Sequence, residues 1–402
     1  MTKIKKPAEI NLNPLILSAM IKLLTIVGAR PQFIKAAALS RVIREEFSDA
    51  VDEVILHTGQ HYDTSMSEVF FHEMGIPEPA YNLDIGSDSH GVQTGRMIQG
   101  IEEAILKENP HGVIVYGDTN STLAGALAAS KMHVPVIHIE AGLRSFNKQM
   151  PEEINRITCD HVSTLLFSPT QTGVENLVNE GIVHSMAEPH TFDQQGVFHC
   201  GDLMYDNTLY FKKLSSQKST LLRDLDLTGK PYILATVHRP SNTDVKENLQ
   251  NIFAALNRIA LERQIPVILP LHPRTAAIIE QLKSNNSFQW NDPSGLVRFI
   301  PAVSFLEMIS LESGASVILT DSGGVQKEAW FMEKPVVVLR EETEWVEIIE
   351  SGNGRLTGSD MNMIMEATLN YLDTPPVSFP PLFGNGDAAR EILKVLTTAR
   401  WE

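Results

Sequence analysis

Short apolar runs alternate with amphipathic helical patterns along most of the chain. In the first half these runs predict strands at residues 23–27, 53–57, 112–116 and 136–138. In the second half they predict strands at residues 232–236, 267–271, 297–300, 316–319 and 336–339. Buried strands that alternate with helices are typical of parallel, doubly wound sheets. The pattern therefore predicts an α/β protein with two Rossmann-like domains that face each other across a cleft.

The strand rhythm is interrupted by polar residues between positions 201 and 230. We therefore predict a flexible N-terminal extension at 1–20, a first domain at 21–205, a second domain at 206–380, and a C-terminal helical segment at 381–402 that crosses back to the first domain. The polar insertion at 184–199 receives no role. Because ligands of open α/β sheets bind beyond the carboxyl ends of the strands, the site is expected between the domains.

Two glycine turns follow predicted strands and precede predicted helices. In Asp321-Ser322-Gly323-Gly324, the glycines and the N–H groups of the helix start suit a phosphate, and Glu328 lies one turn further on to accept from a ribose. The alternative is a turn that only packs tightly. In the other turn, at 28–31, Arg30 and the nearby Lys35 are suited to a pyrophosphate.

Further polar residues stand at the carboxyl ends of predicted strands. Asp118, Glu140 and one of Glu152 or Glu153 are expected to converge, and crowded carboxylates separate one another's pKa values into an acid and a base. For the last two residues the alternative is a favourable interaction with the helix macrodipole. By the same positional rule, His238 and His272, each close to an arginine and a proline, are expected to contact phosphate or uracil.

Composition narrows the classes of partner. The formal net charge of −16 disfavours nucleic acid or an anionic membrane, whereas a free nucleotide sugar fits local basic turns. The two cysteines, Cys159 and Cys200, lack metal-type spacing, so we expect no metal and a reduced, cytoplasmic protein. No Gly-x-Gly-x-x-Gly follows the first strand and no Walker-type loop occurs, so neither a nicotinamide cofactor nor ATP is implied.

Several short motifs occur in an order that is specific in combination. They are Gly-Ala-Arg-Pro at 28–31, Tyr-Gly-Asp-Thr at 116–119, His-Ile-Glu-Ala-Gly-Leu-Arg at 138–144, Pro-Glu-Glu-Ile-Asn-Arg at 151–156 and Thr-Asp-Ser-Gly-Gly-Val-Gln at 320–326. In these motifs the chain resembles the non-hydrolysing UDP-N-acetylglucosamine 2-epimerases. The resemblance implies a two-domain glycosyltransferase-B-like fold, a homodimer, a UDP-sugar substrate and no cofactor.

The resemblance also implies roles for individual residues. Asp118, Glu140 and Glu152 would be catalytic carboxylates, supported by His238 and Arg156. The UDP moiety would be held by Arg30, Ser322, Gly323, Gly324 and Glu328, together with the positionally expected His272. A second, allosteric UDP-sugar would be bound by Lys35, Gln60 and Arg96, although Asp63 departs from the glutamine of some bacterial members.

The implied reaction interconverts UDP-N-acetylglucosamine and UDP-N-acetylmannosamine for surface polysaccharide synthesis. Cleavage of C1–O releases UDP and acidifies the C2 hydrogen, and loss of that proton gives a glycal. Readdition of UDP with protonation of C2 on the opposite face then gives the epimer. Where most members have Thr-Glu-Arg-Pro-Glu, this chain has Thr343-Glu344-Trp345-Val346-Glu347. That motif resembles the branch acting on UDP-2,3-diacetamido-2,3-dideoxyglucuronate, which is the alternative substrate. A hydrolysing epimerase, a glycosyltransferase of the same fold and a nucleotide-sugar sensor are the rival functions.

Overall fold

The computed structural model describes residues 20–59, 77–271, 273–284 and 295–402. The predicted extension at 1–20 lies outside the described residues except for Met20, and Gln60, Asp63 and His272 lie outside them as well. The backbone of Arg30 is described, but its side chain is not.

The first half of the described chain builds a parallel sheet. Its strands are β1 (Ile21–Val27), β2 (Val51–His57), β3 (Tyr81–Asn82), β4 (Gly112–Tyr116), β5 (Val136–Ile139), β6 (Leu165–Ser168) and β7 (Gly196–His199). They lie in the order β3-β2-β1-β4-β5-β6-β7. Every residue of β4, β5 and β6 is buried, which requires cover on both faces of the sheet.

A second parallel sheet follows. Its strands are β8 (Ile233–Thr236), β9 (Val267–Pro270), β10 (Val297–Ile300), β11 (Val317–Thr320), β12 (Val336–Val338) and β13 (Gly354–Leu356). They lie in the order β10-β9-β8-β11-β12-β13. Two parallel sheets with interleaved helices agree with the predicted α/β class.

Helices separate the strands of both sheets. In the first half they are α1 (Arg30–Glu46), α2 (His90–Glu108), α3 (Asn120–Lys131), α4 (Pro151–His161) and α5 (Gln171–Asn179). Between the sheets lie α6 (Leu203–Lys218) and α7 (Leu221–Asp224). In the second half they are α8 (Pro240–Thr243), α9 (Lys246–Arg263), α10 (Pro273–Ser284), α11 (Phe305–Gly314), α12 (Gly323–Phe331), α13 (Val346–Glu350), α14 (Met361–Asp373) and α15 (Ala388–Thr398).

Helix α6 connects the two halves by contacts as well as by sequence. Its Asn207 donates from Nδ2 to the carbonyl of Ile34 in α1, and its Ser215 Oγ donates to the carbonyl of Leu306 in α11 at 2.9 Å. The last helix, α15, begins where Asp206 of α6 accepts from the backbone N–H groups of Ala388 and Ala389. Helix α6 therefore fixes both halves and the C-terminal helix to one another.

The predicted strands are present with their ends displaced by at most two residues. Four of the described strands were not predicted: β3, β6, β7 and β13. Each has only two to four residues, and β7 lies inside the polar insertion at 184–199, so none offers a long apolar run. Among the described helices none has the length and apolar character needed to span a bilayer.

Candidate active site

The turn after β1 is built from close backbone contacts. A Cβ atom at Gly28 would overlap Ser121 Oγ and Thr58 Oγ1, so the turn requires glycine. Gln32 Oε1 accepts from the N–H groups of Gly28 and Ala29 at 2.9 and 3.0 Å. The buried Gln32 side chain thus accepts hydrogen bonds from the backbone just before α1, and it holds the turn that contains Arg30.

Asp118 lies directly after the turn that ends β4 and is paired with Arg156 of α4. Arg156 Nη2 is 2.6 Å from Asp118 Oδ2, and the Asp118 side chain is 32% exposed. Burial raises the pKa of the Asp118 carboxyl; Arg156 opposes that rise and Glu140 adds to it. Asp118 therefore exchanges its proton closer to neutral pH than an ordinary aspartate while keeping access to the cleft.

The two acids that open α4 have different surroundings. Glu153 is buried and accepts from Ser145 N and Oγ, from Phe146 N and from Arg156 Nη1 at 2.7 to 3.0 Å. These donors lower the pKa of the Glu153 carboxyl in spite of its burial. Glu152 is exposed and four residues before Arg156, so it lies on the same helical face as that arginine. Glu153 therefore holds the loop at 145–146 through its hydrogen bonds, whereas the Glu152 side chain is accessible to solvent.

Glu140 follows β5 with φ of +73°, a left-handed conformation that costs on the order of 1 kcal/mol for a non-glycine residue. Its Oε2 is ion-paired with Lys35 of α1, and its Oε1 is 3.5 Å from Lys327 Nζ of α12. Burial alone would raise the pKa of Glu140, but the two lysines outweigh it and lower the pKa to about 2. Glu140 is therefore a carboxylate throughout the neutral range.

Buried side chains behind the site support the turn at Gly117. Gly117 has φ of +63°, and a Cβ there would lie 3.0 Å from Glu140 Oε2. His138 Nδ1 is 2.7 Å from Asp160 Oδ1, and His138 Nε2 is 2.8 Å from the Gly117 carbonyl. His138 thus connects Asp160 to the turn at Gly117.

Asp321, at the end of β11, organises the second half of the site. It accepts from the backbone N–H of His238 at 3.0 and 3.1 Å, from that of Arg239 at 3.0 Å, and from Asn242 Nδ2 at 3.0 Å. His238 Nδ1 also lies 3.2 Å from Asp321 Oδ1, and the His238 side chain is 40% exposed. The aspartate thereby fixes the loop after β8 and presents His238 to solvent.

The second glycine turn is the first turn of α12. Ser322 Oγ accepts from Val325 N at 3.4 Å, and Trp345 Nε1 donates to the Gly323 carbonyl at 3.0 Å. A Cβ at Gly323 would lie 4.0 Å from Arg239 Nη2, so a cation flanks the helix start. Backbone N–H groups, a helix dipole and an arginine together suit an anionic ligand.

Glu328, one turn into α12, lies beside a second acid. Glu312 of α11 is completely buried. Burial and the negative charge of Glu328 raise the pKa of Glu312 well above its usual range. Glu312 and Glu328 are therefore an electrostatically interacting pair of acids behind the glycine turn.

Two of the residues predicted for an allosteric ligand, Lys35 and Arg96, have different partners in the structure. Lys35 is 7% exposed and is ion-paired with Glu140. Arg96 is exposed on α2 and lies 3.3 Å from Asp88. Lys35 is thus part of the carboxylate cluster, and the allosteric role of these residues stays a prediction.

Three supporting residues were missed by the sequence reasoning: Lys327, Asp202 and Asp160. Lys327 and Asp202 are ion-paired at 2.6 Å, and Asp160 is also paired with Arg144 at 2.8 Å. Lys327 directly follows the motif at 320–326, and that position was a signal that could have found it. Among the described residues, no group of three or more histidine, cysteine or acidic side chains is placed to hold a metal ion.

A sequence model of the family described as UDP-N-acetylglucosamine 2-epimerase matches residues 45–397. The chain belongs to this family. Over 377 residues it is 48% identical to the UDP-N-acetylglucosamine 2-epimerase homolog of Methanococcus maripaludis, covering 94% of this chain and 99% of that protein. Over 376 residues it is 48% identical to the UDP-2,3-diacetamido-2,3-dideoxy-D-glucuronate 2-epimerase of Pseudomonas aeruginosa, with the same two coverages.

The fold is similar to solved epimerase structures. The crystal structure of Methanocaldococcus jannaschii UDP-GlcNAc 2-epimerase, in complex with UDP-GlcNAc and UDP, superposes with a TM-score of 0.76 at 39% identity, covering 94% of this chain and 99% of that one. The comparisons confirm the predicted family and the two-domain Rossmann-like fold class. The chain is an epimerase and hence an isomerase.

Proposed function

We propose that this protein interconverts UDP-N-acetylglucosamine and UDP-N-acetylmannosamine by inverting C2 without hydrolysing the nucleotide sugar. The observation that carries the proposal is the pairing of a proton-exchanging carboxyl with a permanently ionised one. Asp118 has a raised pKa and is ion-paired with Arg156, while Glu140 is held as a carboxylate between two lysines. Inversion at carbon needs a group that removes a proton and one that returns it; Asp118 and the exposed Glu152 would supply these two groups, and Glu140 would supply a fixed negative charge.

The nucleotide would bind at the start of α12. Ser322, Gly323 and Gly324 offer backbone N–H groups to the pyrophosphate, and Arg30 and His272 would add cationic or donor contacts. Glu328 would accept from ribose hydroxyls, with the buried Glu312 beside it. As C1–O cleaves, the developing charge on UDP would be stabilised by this helix start.

Proton transfer at C2 would follow once C1 carries positive charge, because that charge acidifies the adjacent C–H. We assign one face of the sugar to Asp118, whose pKa is raised by burial, and the other to Glu152, which is exposed. Glu152 is preferred over Glu153 because Glu153 already accepts four hydrogen bonds. Arg156 and His238 would orient the reacting centre, and Glu140 would stabilise positive charge at C1 as a fixed carboxylate.

A second substrate, UDP-2,3-diacetamido-2,3-dideoxyglucuronate, is favoured by two specific observations. A relative named for that substrate is 48% identical, whereas the Methanocaldococcus jannaschii UDP-GlcNAc 2-epimerase is 39% identical. In addition, the motif Thr343-Glu344-Trp345-Val346-Glu347 resembles that branch of the family. We also propose a homodimer, as the family resemblance implies, and a cytoplasmic location, where the free Cys159 and Cys200 would stay reduced.

The two substrates are separated by incubating the purified protein with each nucleotide sugar and following the anomeric protons by NMR. Conversion of UDP-N-acetylglucosamine to the manno epimer would establish the first substrate. Turnover of the diacetamidouronate alone would establish the second. Release of free sugar would indicate a hydrolysing epimerase, and inertness toward both would contradict the proposal in favour of a glycosyltransferase or a sensor.

A further inference from the structure

Lys327 belongs to the half of the molecule that contains the second sheet, but its ammonium group contacts residues of the first half. It stands on α12, four residues after Gly323 and so one helical turn beyond the glycine turn. Its Nζ lies 2.6 Å from Asp202 Oδ2 and 3.5 Å from Glu140 Oε1, and its side chain is only 5% exposed. A buried ammonium with two carboxylate partners is therefore shared between the expected nucleotide turn and the catalytic loop.

Each partner of this ammonium is itself fixed. Asp202 accepts from Met204 N at 2.8 Å and caps α6, the helix that joins the two halves. The Trp345 ring lies under the ammonium, with its centroid 4.2 Å from Nζ. Because Trp345 Nε1 also donates to the Gly323 carbonyl, the ammonium is connected to the glycine turn both through α12 and through Trp345.

Each carboxylate oxygen of Glu140 is close to a different lysine, and the two lysines belong to different helices. Lys35 comes from α1, in the same half as Glu140, and takes Oε2. Lys327 comes from α12 and takes Oε1. Two further charged groups interact with Glu140. Arg156 lowers the pKa of Glu140, and Glu140 in turn raises the pKa of Asp118. Only Lys327 in this set belongs to the half that carries the glycine turn.

We propose that Lys327 is a positioning residue that fixes the Glu140 carboxylate relative to the nucleotide turn across the cleft. The inference rests on the proposed function, because it gives Glu140 and the turn their roles. A buried ammonium is stable there only while its carboxylate partners are in place, so the two halves of the site are fixed together. Lys327 thereby keeps Glu140 both ionised and at a set distance from the leaving group.

The first test compares Lys327→Met and Lys327→Arg with the wild type. Methionine keeps the apolar stem but removes the charge, so we expect kcat to fall on the order of 100-fold through misplacement of Glu140, with a smaller change in KM. The acidic limb of the kcat–pH profile should move to higher pH in Lys327→Met and stay in place in Lys327→Arg. The control is Lys334→Met, a half-buried lysine three residues after α12, which should change neither quantity.

The second test does not depend on turnover. The carboxyl ¹³C signal of Glu140, assigned by its loss in Glu140→Gln, should show ionisation at a distinctly higher pH in Lys327→Met than in the wild type. An unchanged titration, or Lys327→Met turnover within twofold of the wild type with an unmoved acidic limb, would overturn the inference. If Lys327→Met does not fold, Lys327→Gln, which removes the charge but keeps a polar side chain, takes its place in both tests with the same expected results. Failure of the wild type to turn over either nucleotide would instead count against the proposed function, and the titration would still decide the role of Lys327.

Discussion

Arg156 forms a fork between Asp118 and Glu153: Nη2 is 2.6 Å from Asp118 Oδ2, and Nη1 is 2.7 Å from Glu153 Oε2. The two carboxylates differ in their other contacts. Glu153 has its remaining capacity filled by the loop at 145–146, whereas Asp118 is partly exposed. One side of the Arg156 guanidinium is thus held by Glu153, which accepts several other hydrogen bonds. The other side faces Asp118, which is partly exposed and can react.

Replacing Asp118 tests its assignment to proton transfer. In Asp118→Asn we expect kcat to fall roughly 10²–10⁴-fold, because general acid–base catalysis by one positioned group contributes about that much. Thermal unfolding should change little, since the amide still accepts from Arg156. Kinetics and calorimetry on the same preparation check both parts, with exposed Asp224→Asn as the matched control. Normal turnover of Asp118→Asn would remove Asp118 from the mechanism.

The neighbouring acids of α4 should separate activity from stability. Glu152→Gln is expected to lose most of kcat with an unchanged free energy of unfolding, because Glu152 is exposed. Glu153→Gln places an amide donor against backbone N–H donors and should destabilise the protein by about 1–3 kcal/mol. Denaturant unfolding and steady-state kinetics measure the two effects. The opposite pattern, with a stable but inactive Glu153→Gln, would transfer the catalytic role to Glu153.

Glu140 should give the protein a distinctive loss of stability in acid. Its folded pKa of about 2 is depressed from 4.5, so its stabilising contribution is present above pH 4.5 and is lost as pH falls through about 2. The contribution is on the order of 3 kcal/mol. Glu140→Gln should therefore be less stable than the wild type at pH 7, and the difference should shrink toward pH 2. A constant difference from pH 7 to pH 2 would contradict the depressed pKa.

Glu328 should act on nucleotide binding more than on chemistry. Removing a charged acceptor from ribose hydroxyls costs about 1.5–3 kcal/mol, so Glu328→Gln should weaken UDP binding roughly 10–100-fold and raise KM similarly. Its kcat should stay close to the wild-type value, since the group does not touch the reacting carbon. Calorimetric titration with UDP provides the measurement. Unaltered UDP affinity would place the ribose elsewhere.

The sequence was most informative about groups that follow buried strands. Asp118, Glu140 and His238 were predicted from the carboxyl ends of β4, β5 and β8, and the structure places them there, because strand periodicity and turn chemistry are local signals. The ion pairs that fix them are not local. Lys327 and Glu140 are 187 residues apart, so nothing in the pattern around either residue indicates their contact.

The same distinction applies to the neighbouring acids of α4. Sequence alone placed both Glu152 and Glu153 in a first helical turn and left the choice between them open. Their separation depends on the loop at 145–146, which folds back to donate three hydrogen bonds to Glu153. Short strands such as β6 were missed for a related reason, since its four residues, three of them apolar, are stabilised as a strand only by their neighbours in the sheet.

The central claim is that the carboxylate cluster exchanges the C2 hydrogen of the sugar with solvent during epimerisation. Proton and deuterium NMR of the wild type with UDP-N-acetylglucosamine in deuterated water tests it most directly, with the diacetamidouronate nucleotide run in parallel. The account predicts a UDP-linked epimer that carries deuterium at C2, formed by the wild type and lost in Asp118→Asn. An epimer that keeps its original hydrogen at C2 would contradict the account.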